Sequence, residues 1–163
     1  MSRGLGDVYK RQYCWFMTPY LIITDEMTHA LCLAAKRGVD VRIITPGIPD
    51  KKFIYNITRS FYHRLVKHGV RVYEWTPGFC HAKMSVVDDC MATCGTINLD
   101  YRSLYHHFEN GCFMIDCQSV LDIKSDLIKT MGECRDVTEQ YCTGRSAYLR
   151  LGQLFMRLFA GLL

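Results

Sequence analysis

His81 and Lys83 stand two residues apart in CHAKMSVVD, a stretch that reads as a strand. Alternate side chains of an extended strand share a face, about 6.6 Å apart along it. The imidazole and the ammonium therefore project together, while Cys80, Ala82 and Met84 turn toward an apolar interior. Such a pair suits a phosphoryl group: imidazole can serve as nucleophile or proton carrier, and an ammonium neutralises phosphoryl oxygens without a metal. Asp88 closes the strand, Gly95 permits close backbone approach, and Asn98 offers an amide to a phosphoryl oxygen. Taken singly, each residue has an ordinary structural reading, and an isolated strand histidine is more often a satisfied structural group than a catalyst. The signal lies in the joint spacing HxKxxxxDxxxxxxGxxN, five specified positions over eighteen residues.

Positioning those groups requires the elements around them. YCWFMTPYLII, from Tyr13, has the aromatic and β-branched texture of a buried strand, with Pro19 marking its end or a bulge. A helix should follow, opened by the cap-type residues Thr24 and Asp25, lined by Met27, Leu31 and Ala34, and closed by Gly38 after Lys36 and Arg37. Residues 39–45 read as a strand, 46–50 as a turn, and Ile54, Ile57, Phe61 and Leu65 as one face of a second helix ending at Gly69. VRVYEW is the next strand. This alternation predicts an α/β sandwich with at least partly parallel strands. Beyond TPGF, the spacing predicts strands CHAKMSVVD, MATCGT and GCFMID, a loop INLDYRSLYHHFEN, and a helix over 118–142 carrying Val120, Ile123, Leu127 and Met131 in register.

A chain of 163 residues, 49% apolar and 22% charged, excludes wholesale disorder and fits one domain. Nine cysteines, an odd number with no CxxC pair, disfavour a disulfide scaffold or zinc ribbon and read as small core residues in a reducing compartment. His81, Cys90, Cys94, His106 and His107 fit no common zinc spacing, and His29, His63 and His68 read as helix surface residues. Neither a signal peptide nor a membrane span is visible in the sequence. The net charge of +4 is unevenly placed: residues 13–143 carry −1, residues 1–12 carry +2 and residues 144–163 carry +3. Residues 1–12 read as a non-native or disordered leader, residues 13–143 as the catalytic body, and residues 144–163 as a basic amphipathic helix. That tail either lies in a bilayer interface with Arg150 and Arg157 among anionic headgroups or docks on its own domain.

The joint pattern resembles the signature of the phospholipase D superfamily. TPYLIITDEM, KRGVDVRIITPGIPDKKF, GVRVYEWTPGFCHAK and GTINLDYRSLYHHFENG further resemble the carboxy-terminal half of bacterial cardiolipin synthases, closely over residues 13–116 and loosely beyond. The resemblance implies a phospholipase D-like α/β sandwich with a mixed β-sheet flanked by helices. It also implies one half of a pseudo-twofold enzyme in which two motifs form one site, with only the second present in this sequence. By the same resemblance His81 works on the phosphodiester, Lys83 and Asn98 hold its oxygens, and Asp88 is chiefly structural. Glu109, 28 residues after His81, falls where the superfamily places a carboxylate that hydrogen-bonds the imidazole. Thr96 and Ser103 match the family's GTxNxDxRS text and line the phosphate pocket, and no metal or cofactor is needed.

The implied reaction is phosphatidyl transfer between two phosphatidylglycerol molecules, releasing glycerol and forming cardiolipin through a phosphohistidine. Relatives usually draw the nucleophile from the amino-terminal motif, which points to His81 as general acid and base. The implied partners are phosphatidylglycerol, an anionic membrane surface, and the missing amino-terminal half or a second copy. The implied place is the bacterial cell membrane, cytoplasm-facing or peripheral. Two alternatives stand beside this: a dimeric phosphodiesterase or nuclease, and an inactive lipid-binding module. Against nucleic acid stands the lack of a basic stripe with interleaved aromatics.

Overall fold

The structure is a computed structural model that describes residues 12–142. The leader expected over 1–12 falls outside these residues except for Gln12, and the tail helix expected over 144–163 falls outside them altogether.

YCWFM forms β1 (Tyr13–Met17). Proline cannot donate to a ladder, and the chain breaks around Pro19 before resuming as the two-residue β2 (Leu21–Ile22). Helix α1 (Asp25–Lys36) starts where Thr24 accepts the Met27 amide at 3.1 Å, with Asp25 and Glu26 in its first turn. It closes before Gly38, whose φ of +88° a side chain would strain. Then come β3 (Asp40–Pro46), α2 (Lys52–Lys67) and β4 (Arg71–Trp75). A hairpin of β5 (Met84–Val87) and β6 (Met91–Gly95) leads to β7 (Leu99–Asp100) and the short α3 (Tyr101–Tyr105). The chain continues through β8 (Gly111–Ile115), α4 (Gln118–Gly132), β9 (Cys134–Asp136) and α5 (Thr138–Cys142).

Seven strands form one mixed sheet in the order β8-β6-β5-β1-β3-β4-β9. The pairs β1–β3 and β3–β4 are parallel and the others antiparallel. Alternation along β3 sends Val41 and Ile43 into one layer and Ile44 into the other. In the first layer α1, α2 and α5 contribute Leu31, Ile57, Leu65 and Tyr141. In the second, Val120, Leu127 and Met131 of α4 pack with Trp15 and Val86. Full burial of an aliphatic side chain of this size stabilises by roughly 1.5–3 kcal/mol, so the two layers supply the cohesion of the fold. The expected α/β sandwich with helices on both faces of a mixed sheet is the observed architecture.

Three expected elements differ. The helix foreseen over 118–142 stops at Gly132, and Cys134–Asp136 pair antiparallel with the edge of β4. There Arg135 reaches the fully buried Glu74 at 2.6 Å, opposite Arg59 of α2, which grips the same carboxylate at 2.8 Å. A tertiary ion triad thus decides this strand, not local periodicity. The loop foreseen over 97–110 contains β7, paired in parallel with β2, and α3. The strand foreseen over 80–88 is only β5, because β1 ends at Met17 opposite Met84 and leaves residues 80–83 without a partner strand on that side.

Candidate active site

Residues 80–83 nevertheless keep the expected alternation. Cys80 is buried, Ala82 and Met84 pack against the same core, His81 is exposed and Lys83 is half-buried. The Gly95 amide donates to the Lys83 carbonyl at 3.2 Å and so fastens this segment to the end of β6. Lys83 Nζ lies 3.0 and 3.1 Å from the two ring nitrogens of His81 and donates to the His81 carbonyl at 2.7 Å. Burial pushes the Lys83 ammonium below its usual pKa, against the pull of the Glu109 and Asp100 carboxylates, which favour the charged form. A cation that is partly desolvated and only loosely compensated is suited to a phosphoryl oxyanion.

Gly95 earns its place by sterics. A Cβ there would sit 2.3 Å from the Asn110 carbonyl oxygen and 2.6 Å from Gly111 Cα, so only glycine lets β6 and β8 meet. The close approach is to the neighbouring strand's backbone. It returns the chain of 96–110 to the site: the Thr96 amide donates to the Asn110 carbonyl at 2.9 Å, and the Asn110 amide to Thr96 Oγ1 at 2.9 Å.

Within that return, β7 is anchored by the Leu99 amide on Thr18 Oγ1 at 3.2 Å, and Asp100 caps α3 by accepting the Ser103 amide at 2.7 Å. Asn98 Nδ2 donates to Ser103 Oγ at 3.1 Å, and its Oδ1 is buried without a hydrogen-bond partner among the described residues. The Thr96 hydroxyl donates to Glu109. That bond, and a lesser one from Ser103, hold the Glu109 carboxyl below the usual carboxylate range. The histidine beside Glu109 is His107, at 3.5 Å, whereas the ring nitrogens of His81 face Lys83. The imidazole partner implied for Glu109 is therefore not the one it has in this structure. The sequence signals for these two contacts are a cap-type Asp ahead of YRS for Asp100 and the His-x-Glu spacing for His107.

Asp88 sits in the β5–β6 turn with φ +50° and accepts the Gln12 and Tyr13 amides at 2.7 and 2.9 Å, securing the entry to β1. Beside it, Asp89 accepts the Tyr13 hydroxyl at 2.7 Å and pairs with Lys124 of α4. All nine cysteines are free, but only Cys32 and Cys80 are buried. The expectation of core cysteines fails for Cys94 on β6, Cys112 on β8, Cys117 ahead of α4 and Cys142 at the end of α5, which are exposed. His29 is exposed as expected, whereas His63 is half-buried with Nδ1 2.8 Å from the Tyr141 carbonyl oxygen. No helix among the described residues is long and apolar enough to cross a membrane.

Residues 10–131 match the family model described as "Cardiolipin synthase, PLD-like domain". A cardiolipin synthase of Halalkalibacterium halodurans is 36% identical over 149 residues, 91% of this chain and 30% of the relative. The chain spans about a third of the length of the curated relatives it matches. Among solved structures, the phospholipase D family member Nuc of Salmonella typhimurium superposes with a TM-score of 0.67 at 18% identity, covering 78% of this chain and 83% of that one. A phosphatidylserine synthase of Haemophilus influenzae superposes with a TM-score of 0.73 at 17% identity, covering 96% of this chain and 43% of that one.

Proposed function

The chain belongs to the cardiolipin synthase, phospholipase D-like domain family, and on that premise we propose that it supplies one half of a phosphatidyltransferase site. It corresponds to the carboxy-terminal half, and an amino-terminal half carrying the other motif, or a second copy of the chain, completes the site. The substrate is phosphatidylglycerol at an anionic membrane surface on the cytoplasmic side. Supporting a lipid-facing rim, Ile97, Tyr105 and Phe108 are exposed around the 96–110 return, Phe108 completely. The observation that carries the reading is the His81–Lys83 pair, with both ring nitrogens within 3.1 Å of the ammonium, beside a returning segment on which Asn98 is hydrogen-bonded to Ser103 and Thr96 to Glu109 and Asn110.

In the first step a histidine of the completing motif attacks phosphorus. A P–N bond forms, the P–O bond to glycerol breaks, and His81 gives its proton to the departing glycerol oxygen. In the second step the neutral His81 takes the proton of a second phosphatidylglycerol's hydroxyl. That oxygen attacks, the P–N bond breaks and cardiolipin forms. Lys83 and the Asn98 side-chain amide hold the phosphoryl oxygens throughout, with Thr96 and Ser103 lining the pocket. Glu109 orients the segment through Thr96, and Asp88 keeps the scaffold.

The test is incubation of the chain with phosphatidylglycerol vesicles, alone and together with an amino-terminal half from a relative. Cardiolipin formation that falls about 10²–10⁴-fold in His81→Ala, with an unchanged melting curve because His81 is exposed, supports the reading. No cardiolipin under either condition, or equal formation by the variant, overturns it. Cleavage of nucleic acid lost in His81→Ala would put a nuclease in its place.

A further inference from the structure

Strands β6 and β8 each carry a cysteine at the same register: Cys94 lies directly opposite Cys112, and both are exposed and free. Among the described strands no other register sets two cysteines opposite each other, since Cys14 faces Val41 and Val87, and Cys134 faces Trp75. We infer that Cys94 and Cys112 are a redox modification site, a thiol pair that a peroxide converts to a reversible disulfide. The bond clasps the base of the segment that carries Thr96, Asn98, Ser103 and Glu109.

The Thr96 amide donates to the Asn110 carbonyl and the Asp116 amide to the Cys90 carbonyl. Cys94 and Cys112 stand an even number of residues from both contacts, so they are a hydrogen-bonded pair of the antiparallel ladder. Such a pair holds its Cα atoms about 5.5 Å apart, inside the roughly 4.4–6.8 Å that a disulfide spans. Its Cβ atoms stand about 4.5–5.5 Å apart against about 3.5–4.5 Å in a disulfide, so the strands must close by up to about 1 Å. Two features allow that movement. β8 is the edge of the sheet, with no further strand to hold it back, and the next pair along is Gly95 and Gly111, which put no side chain between the strands. Residues opposite each other share a face of the sheet, and Ala92 and Met114, two residues away on that face, pack into the core beneath α4. Cys94 and Cys112 continue this row into solvent, where a small oxidant reaches them. Met84, opposite Cys94, belongs to the same face, and the alternation of 80–84 puts His81 and Lys83 on the other, so the bond leaves the catalytic pair unobstructed.

Hydrogen peroxide balances the step. One thiolate attacks a peroxide oxygen, the O–O bond breaks, and a sulfenic acid forms while the released hydroxide takes up the thiol proton as water. The second sulfur attacks the sulfenic sulfur, the S–O bond breaks, the S–S bond forms, and a second water leaves with the remaining proton. The two sulfurs together give up two electrons, and the peroxide takes them. A dithiol reverses the bond by exchange, so in a reducing compartment the pair rests as thiols. The closed ring encloses residues 95–111, which include Asn110, bonded through its amide to Thr96, as well as Thr96, Asn98, Ser103 and Glu109. Cross-linking the two ends of that segment removes entropy from its opened states, so the oxidised segment opens less often.

The test treats the full chain with hydrogen peroxide, alkylates the remaining thiols and digests with chymotrypsin, which cuts inside the ring at the exposed Tyr105 and Phe108. The peptides carrying Cys94 and Cys112 should travel as one species, two hydrogens lighter than their sum, and separate on reduction with dithiothreitol. Cys94→Ser and Cys112→Ser should each abolish that species, whereas Cys117→Ser, exposed but off the ladder, should leave it. Amide hydrogen exchange at Thr96 and Asn110 should slow about tenfold or more on oxidation of the wild type and stay unchanged in either serine variant. Sulfinic acids on separate cysteines, no oxidation at all, or a bond from Cys94 or Cys112 to any other cysteine or to a second chain overturns the pair. The expected bond with unchanged exchange overturns the clasp. Neither readout uses catalysis, so the outcome is independent of the transfer reading.

Discussion

The parallel and antiparallel halves of the sheet are built to different standards. β1, β3 and β4 lie between two packed layers, with Val41, Ile43, Ile44 and Val72 inaccessible to solvent, and the Arg59–Glu74–Arg135 triad pins α2, β4 and β9 together. β5, β6 and β8 are packed by α4 on one face, while the other leaves Thr93 exposed and Phe113 and Ile115 on β8 at 62% and 56% exposure. The candidate site stands at the boundary between them, just before β5 and just after β6. The difference teaches a division of labour: stability is concentrated where the strands are covered, and the reactive groups sit where burial gives way to solvent or to a partner.

The sharpest way to break that division is Glu74→Gln. It removes the buried charge that two guanidinium groups share, and breaking a buried pair costs about 3–5 kcal/mol when an uncompensated charge is left behind. Arg59 and Arg135 remain 24% and 54% exposed, so water takes over part of their solvation, and a loss of about 3 kcal/mol in urea unfolding is expected. A loss under about 1 kcal/mol, the range of a surface pair, would show that the triad does not hold the covered half together.

Gly95→Ala tests the open half. The added methyl would meet Asn110 and Gly111 backbone, which has no rotamer to give way, so β8 must shift at a cost of about 1–3 kcal/mol. Because the same strand contact returns Thr96 and Glu109 to the site, activity should fall with stability. Full activity in a destabilised variant would uncouple the strand contact from the site.

The legible parts of the molecule share one property: their determinants are close in sequence. Thr24 before the Met27, Leu31 and Ala34 face was enough for α1, and Pro19 for the end of β1. The two-residue alternation of His81 and Lys83 carried the pair's orientation even where no strand formed. What escaped depends on distant groups. Residues 134–136 are a strand because β4 offers an edge and Glu74 a charge, which nothing in 118–142 announces. The partner of Glu109 depends on the path of 96–110, set by Gly95 against Asn110 and by Thr18 under Leu99. Residue type alone does not say that β6 and β8 lie at an open end, where Cys94 and Cys112 are exposed.

Titration of Lys83 gives a smaller effect with a distinctive sign. Burial lowers its folded pKa below the ordinary 10.5, so between the folded and unfolded values the native chain binds fewer protons than the unfolded chain. Stability therefore rises with pH through that window, while activity falls as the ammonium is lost. An alkaline limb in the rate profile below pH 10.5, moved upward in Lys83→Arg, is the expected result. A limb unmoved by that substitution would assign it to another group.

The smallest difference, and the finest test of the two halves, compares two caps of the same chemistry. Thr24 caps α1 in the covered half by accepting the Met27 amide, and Asp100 caps α3 beside the site by accepting the Ser103 amide. Replacing either by alanine should cost about 1 kcal/mol of stability. The two should part in activity. The hydrogen bonds of Thr24 run to Met27 and Thr28 within α1, whereas Asp100 sets Ser103, which in turn holds the Asn98 amide at 3.1 Å. A displacement of about 1 Å in a positioning group costs on the order of a hundredfold in rate. Asp100→Ala should therefore lose activity out of proportion to its stability, while Thr24→Ala should lose stability alone. Equal behaviour in both readouts would mean that α3 and its cap belong to the scaffold, and that Asn98 is held for the site by something other than Ser103.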